Sequence, residues 1–174
     1  MTNLKNIKGF AFDIDGVMTD GGILADLEGQ LYRTFDAKDG FAVRMASMNG
    51  YPVGVITGAR SQSVRARFGG NGIPPEYVYL GSRDKLADLD DFCRRHGIDR
   101  SEVMYFGDDV PDVPAILAAG IGVAPSDACE EAREAADIVS PLPGGKGCVR
   151  RHMEEAMKAQ GHWTFDVQMY KKKF

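Results

Sequence analysis

Short apolar runs alternate with stretches in which apolar residues recur every three or four positions, and the alternation carries along most of the 174 residues. The runs fall at 9–13, 52–57, 77–81, 103–107, 121–124 and 138–140, and each has the length of a strand. Val53-Gly54-Val55-Ile56 and Val103-Met104-Tyr105-Phe106 leave no polar side for water, as expected of parallel strands covered by helices on both faces. Between the runs, Phe41, Met45 and Met48 share a helical face, and Gly50 follows as a stop. Leu86, Leu89 and Cys93 form another such face, closed by Gly97; Ile116 and Leu117 lie in a helix closed by Gly120; 146–160 reads as a final amphipathic helix with Gly161 behind it. The β-α-β-α order predicts an α/β fold: a doubly wound, mainly parallel, Rossmann-like sheet in one domain over 1–174.

One segment breaks the alternation. Around 21–36, Ile23-Leu24-Ala25-Asp26 and Leu31-Tyr32-Arg33-Thr34-Phe35 flank Leu27-Glu28-Gly29-Gln30, a glycine turn signal between two extended runs. This predicts a β-hairpin inserted after the first strand. A lone hairpin is marginal in water, so it needs either a neighbouring subunit or its own body to pack on.

Composition changes this picture little but excludes some functions. Hydrophobic content of 44% and charged content of 26% are those of an ordinary globular chain. A net charge of −4 argues against nucleic-acid binding by bulk electrostatics. The apolar runs are too short to span a membrane, and Met1-Thr2-Asn3-Leu4-Lys5 lacks the apolar stretch of a secretory leader. Cys93, Cys129 and Cys148 are too few and too scattered for a disulfide framework or a zinc site. The expectation is a reduced, cytoplasmic protein.

The chemistry concentrates just past the strands. Phe10-Ala11-Phe12 runs into Asp13-Ile14-Asp15-Gly16, which places two carboxylates at i and i+2. Residues so spaced on a strand point the same way, and two acids held close repel unless a cation lies between them or one carries a proton. The second strand ends in Thr57-Gly58-Ala59-Arg60-Ser61, the third leads into Ser82-Arg83-Asp84-Lys85, and the fourth into Asp108-Asp109-Val110-Pro111-Asp112. Open α/β sheets bind ligands outside the carboxyl ends of their strands. Carboxylates with room for water suit Mg²⁺, while a hydroxyl, backbone N–H groups and a lysine suit phosphate oxygens. A metal-bound carboxylate facing phosphorus can form an aspartyl phosphate, so the set predicts phosphoryl transfer.

In this order the four segments resemble the motifs of the haloacid dehalogenase superfamily. The resemblance implies that Asp13 is the nucleophile and that Asp15 is the general acid and then the general base. Asp13, the Asp15 backbone carbonyl and Asp108 would hold Mg²⁺, with Thr57 and Lys85 on the phosphoryl group and Asp109 and Asp112 supporting the loop and the metal waters. An adjacent carboxylate would raise the Asp15 pKa toward the working pH. The 37 positions from Asp20 to Thr57 and the 28 from Thr57 to Lys85 are already filled, leaving no room for a cap domain.

Gly16-Val17-Met18-Thr19-Asp20-Gly21, Phe35-Asp36-Ala37-Lys38-Asp39-Gly40 and Gly144-Gly145-Lys146-Gly147-Cys148-Val149-Arg150 are similar to segments of one capless sub-family, the phosphatases of 3-deoxy-D-manno-octulosonate 8-phosphate. That likeness implies a phosphorylated sugar acid as substrate, lipopolysaccharide precursor synthesis as the setting, and a homotetramer. Its hairpins, and a tail over about 162–174, would contact neighbouring subunits. Gly58, Arg60, Lys38 and Arg33 are the candidate substrate contacts. Three departures fall on positions expected to read the sugar: Ala59 where the sub-family often has arginine, Leu80-Gly81-Ser82-Arg83 where it often has Gln-Gly, and the unusual tail. A phosphatase of 2-keto-3-deoxynononate 9-phosphate and a non-catalytic sugar-acid-binding homologue are the alternatives. A phosphorylated receiver module would need its aspartate on the third strand, where Tyr79-Leu80-Gly81 supplies none.

Overall fold

The computed structural model describes residues 3–174. Met1 and Thr2, the start of the segment read as lacking a leader, lie outside the described residues. In chain order the elements are β1 (Gly9–Phe12), β2 (Leu24–Ala25), β3 (Leu31–Tyr32), α1 (Ala37–Met48), β4 (Val53–Thr57), α2 (Gln62–Gly69), β5 (Val78–Leu80), α3 (Lys85–His96), β6 (Val103–Phe106), α4 (Val113–Ala118), β7 (Ile121–Ala124), α5 (Glu130–Ala135), β8 (Ile138–Val139), α6 (Cys148–Ala159) and α7 (Val167–Lys173). Six strands form one sheet in the order β5-β4-β1-β6-β7-β8, and every pairing is parallel. The chain winds outward from β1 to β5, then returns to the other side of β1 for β6. The ends of β4, β1 and β6 therefore lie together at the point where the winding reverses, which is where such sheets bind ligands.

Both faces of the central strands β4, β1, β6 and β7 are dry. Phe10, Phe12, Val53, Val55, Met104 and Phe106 pack with Val43 and Met45 of α1, Phe68 of α2 and Val149 and Met153 of α6. Ala11, Ile56, Val103 and Tyr105 point the other way, to Leu89 and Phe92 of α3 and Ile116 of α4. Each fully buried large side chain contributes about 1.5–3 kcal/mol. Gly54 is required by this packing, since a Cβ there would lie 2.9 Å from the Phe92 ring. Asp39, buried on α1, accepts the N–H groups of Gly147 (3.1 Å) and Arg150 (2.7 Å) and so ties α1 to the start of α6.

Two helical expectations need correction. α6 begins at Cys148 rather than at 146, because the glycines before it are pressed against the turn after β1. A Cβ on Gly144 would lie 1.9 Å from the Gly16 carbonyl oxygen, and one on Gly145 would lie 2.5 Å from the Thr19 carbonyl carbon. Nor is α6 the last helix. The tail turns back as α7 and lies on its own α1, where Phe41 meets Phe165 and Tyr170. Arg44 donates to the Tyr170 hydroxyl (2.6 Å) and stacks over the Phe174 ring, and Lys173 donates to the Ser47 carbonyl (2.6 Å).

The hairpin forms as β2 and β3, a separate two-stranded antiparallel sheet. Asp26 shapes its turn by accepting from Glu28 N–H (3.0 Å) and Gln30 N–H (2.8 Å). Ile23, Leu24, Leu27, Leu31 and Tyr32 are exposed on it. Among the described residues, no helix is long and apolar enough to cross a membrane.

Candidate active site

The main chain sets the first acid. Asp13 follows β1 directly, and its N–H still donates to Phe106 on β6 (3.0 Å). The chain then curls so that Val17, Met18 and Thr19 all donate to the Ile14 carbonyl, with Gly16 at φ 85°. That conformation favours glycine, and a side chain at Gly16 would also strike Asp108, 1.9 Å from its Oδ2. The Asp13 carboxylate accepts Ile14 N–H at Oδ1 (2.7 Å) and Lys85 Nζ at Oδ2 (2.8 Å).

Lys85 is the first residue of α3 and is buried. Its ammonium also donates to Asp112 Oδ1 (2.7 Å), which takes the Tyr105 hydroxyl as well (2.7 Å). Asp112 Oδ2 accepts the N–H groups of Asp108 (3.2 Å) and Asp109 (3.3 Å). Asp112 is thus saturated as an acceptor and holds the loop that carries Asp108. Thr57 is buried at the end of β4, and its hydroxyl accepts Ala59 N–H (3.2 Å).

Asp13, Asp108 and Asp112 each place a carboxylate oxygen within 4.8 Å of the others. Asp108 Oδ1 is buried with no hydrogen-bond partner among the described residues. Burial pushes the Asp108 carboxyl up to about 8, helped by the negative charges of Asp112 and Asp13. The Asp13 carboxyl rises to about 6, through burial first and Asp112 second, with Lys85 pulling it back. For Lys85, burial opposes the charged form, but Asp13 and Asp112 outweigh it and raise the ammonium pKa. An acid cluster crowded in this way, with one orphaned oxygen, has the donor chemistry of a hard divalent cation site.

A cavity of about 450 Å³ opens over this floor, lined by Asp13, Asp15, Thr57, Gly58, Lys85, Asp108 and Asp109 among others. Lys38 and Arg60 do not line it. Lys38 is exposed near the start of α1, and the Arg60 side chain lies across Gly81. Asp15 also has a partner from outside its own loop. Arg33, reaching in from the hairpin, grips both Asp15 oxygens (Nε to Oδ1 2.6 Å, Nη2 to Oδ2 3.0 Å), and its side chain is only 4% exposed. The Asp15 carboxylate is thus held by a guanidinium and takes no part in the Asp13–Asp108–Asp112 cluster. Sequence reasoning passed over Tyr105, which read simply as an apolar strand residue, and noted Ser82 and Arg83 of the cavity wall only within a stretch expected to read the sugar.

Known proteins resemble this chain in sequence and in fold. The sequence profile of the haloacid dehalogenase-like hydrolases matches residues 78–147. The 3-deoxy-D-manno-octulosonate 8-phosphate phosphatase of Salmonella typhi is 34% identical over 161 residues, covering 92% of this chain and 85% of the relative. The crystal structure of that phosphatase from Moraxella catarrhalis, in complex with magnesium, phosphate and the sugar acid, superposes with a TM-score of 0.87 at 35% identity, covering 92% of this chain and 91% of the other. The cobalt-bound enzyme of Haemophilus influenzae gives a TM-score of 0.87 at 32% identity, covering 97% and 98%. With both the sheet and the sequence matched over nearly its whole length, the chain belongs to the haloacid dehalogenase superfamily and, within it, to the 3-deoxy-D-manno-octulosonate 8-phosphate phosphatase family.

Proposed function

We propose that this chain hydrolyses 3-deoxy-D-manno-octulosonate 8-phosphate to the free sugar acid and phosphate, through a phosphoryl group carried on Asp13. The observation that carries the reading is the buried Asp13–Lys85–Asp112 chain on the floor of the cavity (2.8 and 2.7 Å), beside the unpartnered Asp108 oxygen. Asp13, the Asp15 backbone carbonyl and Asp108 hold Mg²⁺, which when bound offsets charge on the phosphoryl oxygens and on Asp13.

The remaining steps belong to the chain's own residues. Lys85, the Thr57 hydroxyl and the Gly58 N–H orient the phosphoryl group against Asp13. An Asp13 oxygen bonds to phosphorus as the ester P–O bond breaks, and Asp15 gives its proton to the departing sugar oxygen. Asp15 then takes a proton from water, whose oxygen bonds to phosphorus and releases Asp13. Arg33 engages both oxygens of Asp15, so the fork must loosen as the leaving oxygen arrives. Asp112 positions Lys85 and the Asp108 loop, and Asp109 sits at the rim above them.

We further infer one domain over 1–174 with no cap, working in the cytoplasm on a lipopolysaccharide precursor. The exposed apolar residues of the hairpin support a homotetramer closed by neighbouring hairpins, with the tail, seated on its own α1, contacting the neighbouring subunit as well. Phosphate release is the test. With Mg²⁺, 3-deoxy-D-manno-octulosonate 8-phosphate should give the highest kcat/KM in a panel that includes 2-keto-3-deoxynononate 9-phosphate, and EDTA should abolish turnover. A preference for another ester, or turnover in chelator, overturns the reading.

A further inference from the structure

Two cations, Lys85 and Arg83, line the cavity beside four aspartates, and further arginines stand around it. Lys85 is held between Asp13 and Asp112, and Arg33 is clamped on Asp15. Nearby, Arg65 gives Nη2 to the Val78 carbonyl (3.1 Å), and Arg60 lies along Gly81 outside the lining. Arg83 differs from Lys85, Arg33 and Arg65 in having no partner among the described residues, and from the equally unpaired Arg60 in lining the cavity. It lines the cavity and is exposed toward it, and it has no ion pair or hydrogen bond among the described residues. Its Nη1 lies 3.8 Å from where a Cβ on Gly58 would stand, so the guanidinium reaches across the mouth toward the end of β4. The loop beneath it is firmly set: Ser82 N–H donates to the Thr57 carbonyl (2.9 Å), Gly81 N–H donates to the Ala59 carbonyl (2.8 Å), and the Ser82 hydroxyl donates to Asp88 (2.5 Å).

A free guanidinium at the rim of a site whose phosphoryl floor is already equipped calls for a second anion farther out on the substrate. Its planar fork matches a carboxylate through two parallel hydrogen bonds. We propose that Arg83 is the specificity residue for the carboxylate of the sugar acid, binding the end of the substrate remote from phosphorus. This deepens the function proposed above and rests on it for the identity of the substrate, though not for the recognition of a carboxylate.

The test measures selectivity rather than activity. Two ester pairs, each with and without a carboxylate, are compared: 3-deoxy-D-manno-octulosonate 8-phosphate against arabinose 5-phosphate, and 6-phosphogluconate against sorbitol 6-phosphate. In Arg83→Ala, the ratio of kcat/KM for acid over neutral ester should fall about 10- to 100-fold, the range of a lost charge-assisted hydrogen bond, chiefly through KM. Arg83→Lys should recover part of the ratio, and Arg83→Glu should lower it below that of alanine. Equal losses on both members of a pair would place Arg83 on the phosphoryl group, and no loss on either would leave it without a role; either result overturns the proposal. If the wild type ignores the octulosonate ester, the function proposed above fails, while the phosphogluconate pair still decides Arg83. Arg83 is exposed, and a thermal midpoint equal to wild type in each variant excludes misfolding as the source of any change.

Discussion

Asp112→Asn is the most informative perturbation of the fold beneath the site, because Asp112 is fully buried and both of its oxygens are used twice. An amide keeps the shape but has one oxygen, so one pair of donors must face an NH₂ group. The cheaper arrangement keeps oxygen toward Lys85 and Tyr105, both at 2.7 Å, and turns NH₂ toward the longer contacts from Asp108 and Asp109 N–H at 3.2 and 3.3 Å. Two backbone donors are then unsatisfied, at the low end of about 1–3 kcal/mol each. The two retained bonds lose their charge assistance, about 1 kcal/mol each. Relief of the buried carboxylate's desolvation offsets part of this, leaving a net loss of about 3 kcal/mol, or about 6–12 °C in Tm for a chain of this size. Urea denaturation followed by far-UV circular dichroism measures it, with Tyr105→Phe as a companion that removes a single donor. In the double variant the two losses should fall short of additivity, because they share one oxygen. A loss below about 1 kcal/mol for Asp112→Asn, or strict additivity with Tyr105→Phe, would refute the claim that this carboxylate organises the floor.

Further expectations concern chemistry and pH. Asp13→Asn removes the nucleophile and should lower kcat by at least about 10³-fold while leaving the circular dichroism spectrum intact; substantial phosphate release by that variant would refute the assignment. Asp108→Asn should weaken Mg²⁺ activation by about 10- to 100-fold or more, read as the Mg²⁺ concentration giving half-maximal rate. His152 on α6 is buried, its Nε2 has no partner among the described residues, and burial holds its imidazolium pKa below the usual histidine value despite Glu155 beside Nδ1 (2.9 Å). Because the folded pKa is depressed, its neutral form supports the fold above the ordinary histidine pKa of about 6.5, and that support is lost as pH falls below this value. His152→Gln should therefore flatten the decline in urea midpoint between pH 7 and pH 5; an equally steep decline would rule His152 out as its source.

What the sequence alone determined was whatever depends on local pattern. Strand-length apolar runs bounded by turn residues and alternating with helical periods fit buried parallel strands, so the sheet and the positions of the acids, threonine and lysine just past its strands were legible from spacing. Hydrophobic period and glycine stops likewise placed the helices, to within a few residues at their ends.

Tertiary structure decided every contact between groups remote in the chain. Arg33 finds Asp15 because the hairpin folds back over the first loop, giving this acid a guanidinium partner that spacing alone did not reveal. Tyr105 read as an apolar strand residue, yet the alternation of side chains along β6 aims its hydroxyl at Asp112. Between the two mouth arginines, Arg83 reaches the cavity while Arg60 lies over Gly81, a difference set by loop geometry rather than by position in the sequence. The tail forms α7 because Phe165, Tyr170 and Phe174 meet Phe41 and Arg44 of α1. So short a helix has little stability of its own and depends on the surface that receives it.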